Sequence, residues 1–279
     1  MPCPFDVAVI IPANNEETWL GRCLDSLMCQ DEAAGRLQII VSANACTDST
    51  VDIAHRYSGC AEARGWQLSC LSSPAPGKIG ALNRADSVAE AEIRVYLDAD
   101  VTCEPAMIGQ VRRALDSNVA TYATGTLAVV RARSRLTRAY AAFWRKLPFV
   151  EGGAVGAGFF AVNRSGRARW GDFPEIISDD TFVRLNFCPA ERVELPATYY
   201  WPMVEGWRNL VKVRRRQDAG VAEVYRLYPD LRVDEGKARL TLAQLIRLAI
   251  AMPVGFLVYA SVTAAVRLRP AGGSWSRGR

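Results

Sequence analysis

The sequence predicts an α/β chain organised on a mostly parallel central sheet, and two observations predict it. Short apolar runs at residues 7–11, 37–41, 66–71 and 95–97 alternate with segments of helical periodicity at about thirty residues per unit, the spacing of a strand, a crossover helix and the next strand. The polar clusters among the first hundred residues lie just beyond these runs, at the carboxyl ends of the strands, where a parallel sheet binds its ligands.

The first run, Val7 to Ile11, leads through Pro12-Ala13-Asn14-Asn15-Glu16-Glu17 into a helix with Leu20, Cys23, Leu24, Leu27 and Met28 on one face. The second passes through Ser42-Ala43-Asn44-Ala45-Cys46-Thr47-Asp48 into a helix carrying Val51, Ile53, Ala54 and Tyr57. The third reaches a helix around Ala81, Leu82, Ala85 and Val88 by way of Pro76-Gly77-Lys78. The fourth, Val95-Tyr96-Leu97, ends in Asp98-Ala99-Asp100. Side chains two residues apart on a strand face the same way, so these carboxylates are expected to converge at its exposed end. Paired hard oxygen donors suit Mg²⁺ or Mn²⁺ carrying a diphosphate, although Asp-x-Asp is also an ordinary turn sequence.

Taken in order, Pro12 to Glu17, Asn44 to Thr50, Gly77-Lys78 with Ala81-Leu82-Asn83, and Leu97 to Asp100 resemble the donor-site motifs of family 2 glycosyltransferases of the GT-A fold. Gly156 to Val162 followed by Ser178-Asp179-Asp180 resembles the acceptor-side glycine strand and the acidic catalytic-base motif of that family. Arg214 to Gly220 resembles its arginine-rich segment, which closes over the diphosphate. The resemblance covers about residues 6–220. It implies a GT-A type sheet flanked by helices in a domain at 1–236, with a donor half at about 6–130 and an acceptor half at about 131–236.

The implied activity is metal-dependent, inverting transfer of a sugar from a nucleotide-diphosphate donor to a hydroxyl. Such transfer must neutralise a departing diphosphate and deprotonate the acceptor. The resemblance assigns Asp180 as general base and Asp100 as ligand of Mg²⁺ or Mn²⁺. It puts Pro12, Ala13, Asn15, Glu16, Asn44, Lys78, Asp98 and Arg216 at the donor. Asp180 opens a helical pattern, where capping is the alternative role, and Asp179 beside it should raise its proton affinity. Arg214, Arg215 and Arg216 either ride a mobile loop that closes over the diphosphate, since guanidinium forks bind its oxygens bidentately, or form a solvated helix face; Arg216 is the best placed of the three. The chain also departs from the family: Ser42, Ala43 and Asn44 stand where many relatives carry a nucleobase-binding acid. Asn14 replaces a stacking Tyr, and Gln217 stands where a Trp often follows the arginine, which favours transfer of a single sugar.

Composition excludes other classes. With 279 residues, half of them apolar, the chain can bury a full core, and its +5 charge is carried mostly by arginines scattered from end to end. No nucleic-acid module is present, so nucleic acid is not an expected partner. The single histidine, His55, rules out histidine triads and multi-histidine metal sites and is expected on a helix surface. Eight cysteines without a C-x-x-C pair, and no signal peptide before the first strand, suggest reduced core thiols in a cytosolic compartment. A nucleotidyltransferase on a related sheet should show a glycine-rich phosphate loop, whereas Pro12 to Glu17 contains no glycine. The nucleotidyltransferase and a non-catalytic nucleotide-sugar-binding protein stay open as the alternative functions, and the presence of Asp98, Asp100 and Asp180 together weighs against the second.

The C-terminal segment, 237–279, is a separate, membrane-associating element. Residues 248–266 carry no charge, and nineteen helical residues reach about 28 Å, close to a bilayer's hydrocarbon thickness. Pro253 and Gly255 interrupt the stretch, and basic residues flank both sides. A bent helix on the cytoplasmic face of the cell membrane keeps both basic clusters on the anionic side; a single C-terminal membrane segment and a buried core helix are the alternatives. The acceptor expected there is a lipid or lipid-linked saccharide. The helical face Leu136, Tyr140, Phe143, Trp144 and Leu147 either packs on the sheet or makes a second interfacial surface.

Overall fold

In the computed structural model, which describes residues 3–268 except 237 and 239, eight strands form one sheet. They are β1 (Val7–Ala13), β2 (Leu37–Asn44), β3 (Gln67–Ser73), β4 (Ile93–Leu97), β5 (Thr102–Cys103), β6 (Tyr122–Val129), β7 (Phe159–Val162) and β8 (Arg192–Trp201), in the order β3-β2-β1-β4-β7-β6-β8-β5. The first four are parallel, with Val9 opposite both Ile39 and Val95 and Ile39 opposite Leu68. β7 then joins β4 antiparallel, with Tyr96 opposite Phe160; β6 is antiparallel to β7, and β5 to β8. The near-continuous apolar runs of β1 and β2 are buried on both faces, as central parallel strands must be, while the edge strand β3 is Ser- and Gln-containing and only half buried.

The helices are α1 (Leu20–Met28), α2 (Thr50–Arg56), α3 (Ser58–Ala63), α4 (Lys78–Ser87), α5 (Met107–Leu115), α6 (Arg135–Trp144), α7 (Arg164–Arg167), α8 (Asp179–Leu185), α9 (Trp207–Leu227), α10 (Leu242–Ala251) and α11 (Pro253–Leu268). Two compact units result. One holds the residues up to Ala128 with Gly156–Glu175 and Asn186–Trp201; the other holds Val129–Val155, Ile176–Leu185 and the residues from Pro202 onward.

In the first unit, Val7, Val9, Ile11, Leu24, Ile39, Val95 and Phe159 form the centre of one continuous apolar core. Helix α4 is anchored by its buried Asp86, which accepts from Tyr96 Oη at 2.5 Å and Arg167 Nη2 at 2.6 Å and pairs with Arg94 at 2.7 Å. Burial pushes the Asp86 carboxyl up, but Arg167 and Tyr96 outweigh it and hold the group below the usual carboxylate range. A buried carboxylate is tolerable only with such partners, and these lock the helix whose first residue is Lys78. His55 is exposed on α2, as expected. The eight cysteines are free; Cys23 and Cys103 are core thiols, whereas Cys29 and Cys60 are exposed, so the core expectation fails for those two.

The second unit decides between readings that the sequence left open. Arg214 to Gly220 is not a loop but the middle of α9, a 21-residue helix whose buried Leu210, Val211, Gly220 and Val224 share a face. The uncharged C-terminal stretch is interrupted where the sequence places Pro253: it breaks at Met252 (φ −137°, ψ 60°), because the residue before a proline is driven out of the helical region and Pro253 lacks an N–H. Among the described residues no helix is long and apolar enough to cross a membrane. Finally, the apolar face of α6 packs on α11, with Phe143 against Phe256 and Tyr259 and Tyr140 stacked on Tyr259. Gly255 permits this approach, since a Cβ there would sit 2.9 Å from Ala139 O and 3.0 Å from Phe143 Cβ.

Candidate active site

In the first unit the turns after β1 and β2 are interlocked. Asn14 Nδ2 donates to Asn44 O at 2.6 Å and Ala45 O at 3.0 Å, so this amide clamps two loops together. Asn15 Oδ1 accepts from Thr47 N at 2.7 Å, Glu16 N donates to Thr50 Oγ1 at 2.7 Å, and Glu17 N donates to Asp48 Oδ2 at 3.1 Å. Burial pushes Asp48 up, but the Thr50 hydroxyl and the N–H groups of Glu17 and Thr50 prevail and lower its proton affinity. Asn15 (φ 54°) and Ala45 (φ 47°) are both left-handed without being glycine. Such backbone costs about 1–3 kcal/mol per residue and persists only where neighbours over-determine it. Here the crossed hydrogen bonds do so.

The remaining predicted donor residues join this rim. Pro12 and Ala13 end β1 opposite Ser42 and Ala43, and the Ala13 carbonyl accepts from Cys46 Sγ at 3.7 Å. Asn44 is buried and donates from Nδ2 to Gly77 O at 3.1 Å, which holds the turn preceding Lys78. Lys78 Nζ lies 3.0 Å from Asp98 Oδ1, with both side chains more than a third exposed. An exposed pair of this kind is worth about 0–1 kcal/mol, so an arriving ligand can exchange with either partner.

Asp98 and Asp100 do not lie on the strand. β4 ends at Leu97, and Val101 N donates to Asp98 O at 3.0 Å, closing a turn around Ala99; strand alternation therefore does not orient the two carboxylates. Asp98 N donates to Gly158 O at 2.9 Å, which ties the turn to the segment entering β7. Gly158 (φ 76°) is required beneath it, because a Cβ would stand 3.3 Å from Asp98 Oδ2, 3.0 Å from Val101 Cγ2 and 3.1 Å from Trp201 Cδ1. Sequence reading placed Gly158 in a motif but not in the site; its signal was the Gly-x-Gly before an apolar run. Among the described residues no three His, Cys, Asp or Glu side chains form a metal cage. The Asp98–Asp100 turn carries two carboxylates, the hard oxygen donor type that Mg²⁺ and Mn²⁺ take.

In the second unit Asp179 is buried and Asp180 half-buried at the start of α8, where Asp180 Oδ1 accepts from Thr181 N at 2.7 Å. The loop before them is held by α9. Ile177 N donates to Glu223 Oε2 at 2.9 Å, and a Cβ on Gly220 would collide with Ser178 Oγ and stand 2.9 Å from Ile177 Cγ2. Neither Gly220 nor Glu223 was singled out from sequence as a support for the acidic loop, although a glycine in a helix interior signals close approach. In the arginine run, Arg214 donates to Asp218 at 2.8 Å and to Tyr259 Oη at 3.4 Å, and Arg215 donates to Ala265 O at 2.6 Å. Arg216 is exposed to solvent on the same helix.

A family model described as Glycosyl transferase family 2 matches residues 8–167, more than half of the chain. The chain belongs to glycosyl transferase family 2. The match takes in the turns at Pro12 to Glu17, Asn44 to Thr50, Lys78 and Asp98 to Asp100, and ends before Asp180 and Arg216. No curated protein matches the chain. Among solved structures, S. aureus TarS 1-349 in complex with UDP-GlcNAc is similar at a TM-score of 0.54 and 16% identity over 94% of this glycosyltransferase and 91% of that chain. The mannosyltransferase PcManGT from Pyrobaculum calidifontis, in complex with GDP-Man and Mn²⁺, is similar at 0.58 and 21% over 97% and 78%. Mannosyl-3-phosphoglycerate synthase from Rubrobacter xylanophilus is similar at 0.54 and 19% over 84% and 76%. At these identities the likeness is one of fold, and the fold of this family 2 glycosyltransferase is GT-A.

Proposed function

We propose that this glycosyltransferase moves a sugar from a nucleotide-diphosphate donor to a hydroxyl acceptor by single displacement, inverting the anomeric carbon. The observation that carries the reading is the connected rim at the carboxyl ends of β1, β2 and β4, in which Asn44 holds the Gly77 turn and Lys78 stands 3.0 Å from Asp98. Glu16, Asn15 and the backbone of Pro12 and Ala13 face the nucleoside; Lys78 contacts a phosphate or the nucleotide, and Asp98 contacts the ribose or the water shell of the cation. Asp100 would hold Mg²⁺ or Mn²⁺, and the ion would supply Lewis-acid stabilisation of the departing diphosphate. Arg216, free of the helix contacts that occupy Arg214 and Arg215, adds a guanidinium fork to the diphosphate. Asp180 removes the acceptor proton, and attack from the face opposite the leaving group inverts the centre. The complexes of TarS with UDP-GlcNAc and of PcManGT with GDP-Man and Mn²⁺ support this class of donor and cation.

The acceptor we propose is a lipid or lipid-linked saccharide at the cytoplasmic membrane face, a reading supported by the uncharged apolar residues of α10 and α11. The test of the transfer chemistry is a donor screen: UDP-, GDP- and dTDP-sugars are incubated with the protein and Mn²⁺, with and without chelator. One nucleotide class should bind and release its diphosphate in a chelator-sensitive manner. Absence of binding and turnover across all three would overturn the proposal.

A further inference from the structure

Helices α10 and α11 divide their apolar residues between two faces. One is built into the second unit, where Leu245, Leu248, Met252, Phe256 and Tyr259 pack on Phe143, Leu147 and Val150. The other is bare: Leu242, Ile246 and Ile250 recur every fourth residue along α10 and are 73%, 51% and 76% exposed. Beyond the break, Val254 and Leu257 are each 65% exposed. Between the α10 residues lies a shallow apolar groove in which Arg247 is the charged group. Single exposed aliphatics are ordinary, but a periodic row of them along one helix is not.

Charge and length identify what covers it. From Lys237 to Arg279 the sequence carries seven basic residues and no Asp or Glu, so the segment that holds the row has a charge of one sign, positive. Ten residues of α10 reach about 15 Å, half the hydrocarbon thickness, so the helix can lie in the interface but not cross it. We infer that α10 and the start of α11 form a docking face for an anionic bilayer. Leu242, Ile246, Ile250, Val254 and Leu257 enter the acyl boundary, and Arg247 stays at headgroup level. The inference deepens the membrane part of the proposed function and is independent of the transfer chemistry.

The experiment is flotation of the full chain with phosphatidylcholine vesicles, with and without a quarter phosphatidylglycerol. Binding should require the anionic lipid and weaken with added salt. Ile246→Glu with Ile250→Glu should lower partitioning about tenfold or more, whereas Ile250→Leu should keep it. Far-UV circular dichroism and hydrolysis of a soluble nucleotide sugar, read on the same variants, should be unchanged. Vesicle binding without donor hydrolysis by the parent chain would sink the transfer reading and leave the docking face standing. Equal flotation by the parent and the double variant would overturn the inference. So would a dimer in sedimentation equilibrium that the double variant dissolves, because a second copy would then cover the row.

Discussion

Asp180 follows a buried carboxylate and opens a helix, an arrangement that capping alone would also produce. The two roles separate on substitution. Asp180→Asn keeps volume and hydrogen bonding but cannot accept a proton at neutral pH, so acceptor-dependent transfer should fall about 10²-fold or more while nucleotide-sugar affinity by calorimetry is retained. Lost affinity with normal transfer at saturation would move Asp180 into the donor site. Asp100→Ala should remove metal-dependent donor turnover while the circular dichroism spectrum stays native; near-normal turnover with Mn²⁺ would refute its assignment as ligand. The candidate residues were legible because motif order survives in the chain. Their partners were not: that Asn14 clamps Asn44 O, thirty residues on, or that Lys78 rests on Asp98, about twenty residues on, depends on loops brought together by the sheet.

Helix α9 joins two features that look unrelated in sequence, the arginine run and the support of the acidic loop. Gly220 would ordinarily weaken a helix interior by about 0.5–1 kcal/mol relative to Ala, so Gly220→Ala should stabilise α9 if the helix were free. In place, the added methyl meets Ser178 Oγ and Ile177, and overpacking of this kind costs about 1–3 kcal/mol. The expected result is a lower Tm together with reduced transfer and unchanged donor affinity; a raised Tm would show that the loop does not rest on α9. In sequence the arginines read equally as a phosphate-closing loop and as a solvated helix face, because an Arg run is compatible with both. Burial of Leu210, Val211, Gly220 and Val224 along one face decides for helix instead.

At the scale of the whole molecule, loss of stability in acid follows from ion pairs set into the fold. Glu191 is lowered from 4.5 to about 2, first by hydrogen bonding from Arg169, with Nη2 at 2.5 Å from Oε1, and then by Cys188 N. A carboxylate whose native proton affinity is depressed favours the folded state above its ordinary value, and that contribution fades as pH falls from about 4.5 toward about 2. Glu191→Gln should therefore unfold at lower denaturant than the parent at pH 7, with the gap closing at about pH 2. An equal gap at both pH values would exclude the linkage. Asp86 titrates in the same direction.

By itself the sequence determined the βα alternation, the polar turns beyond β1, β2 and β4, and the family, because hydrophobic period and motif order are local properties of the chain. It also announced the break at Pro253, since a missing N–H acts wherever the residue stands. Only the tertiary structure decided that β4 stops at Leu97 and leaves Asp98 and Asp100 in a turn, that β6, β7 and β8 complete the sheet beyond the parallel strands, and that Gly158 lies under Asp98. It alone divided the apolar C-terminal residues into a packed face and a bare one. These outcomes turn on which surfaces meet, and a pattern of apolar residues states that a face is to be covered without stating by what.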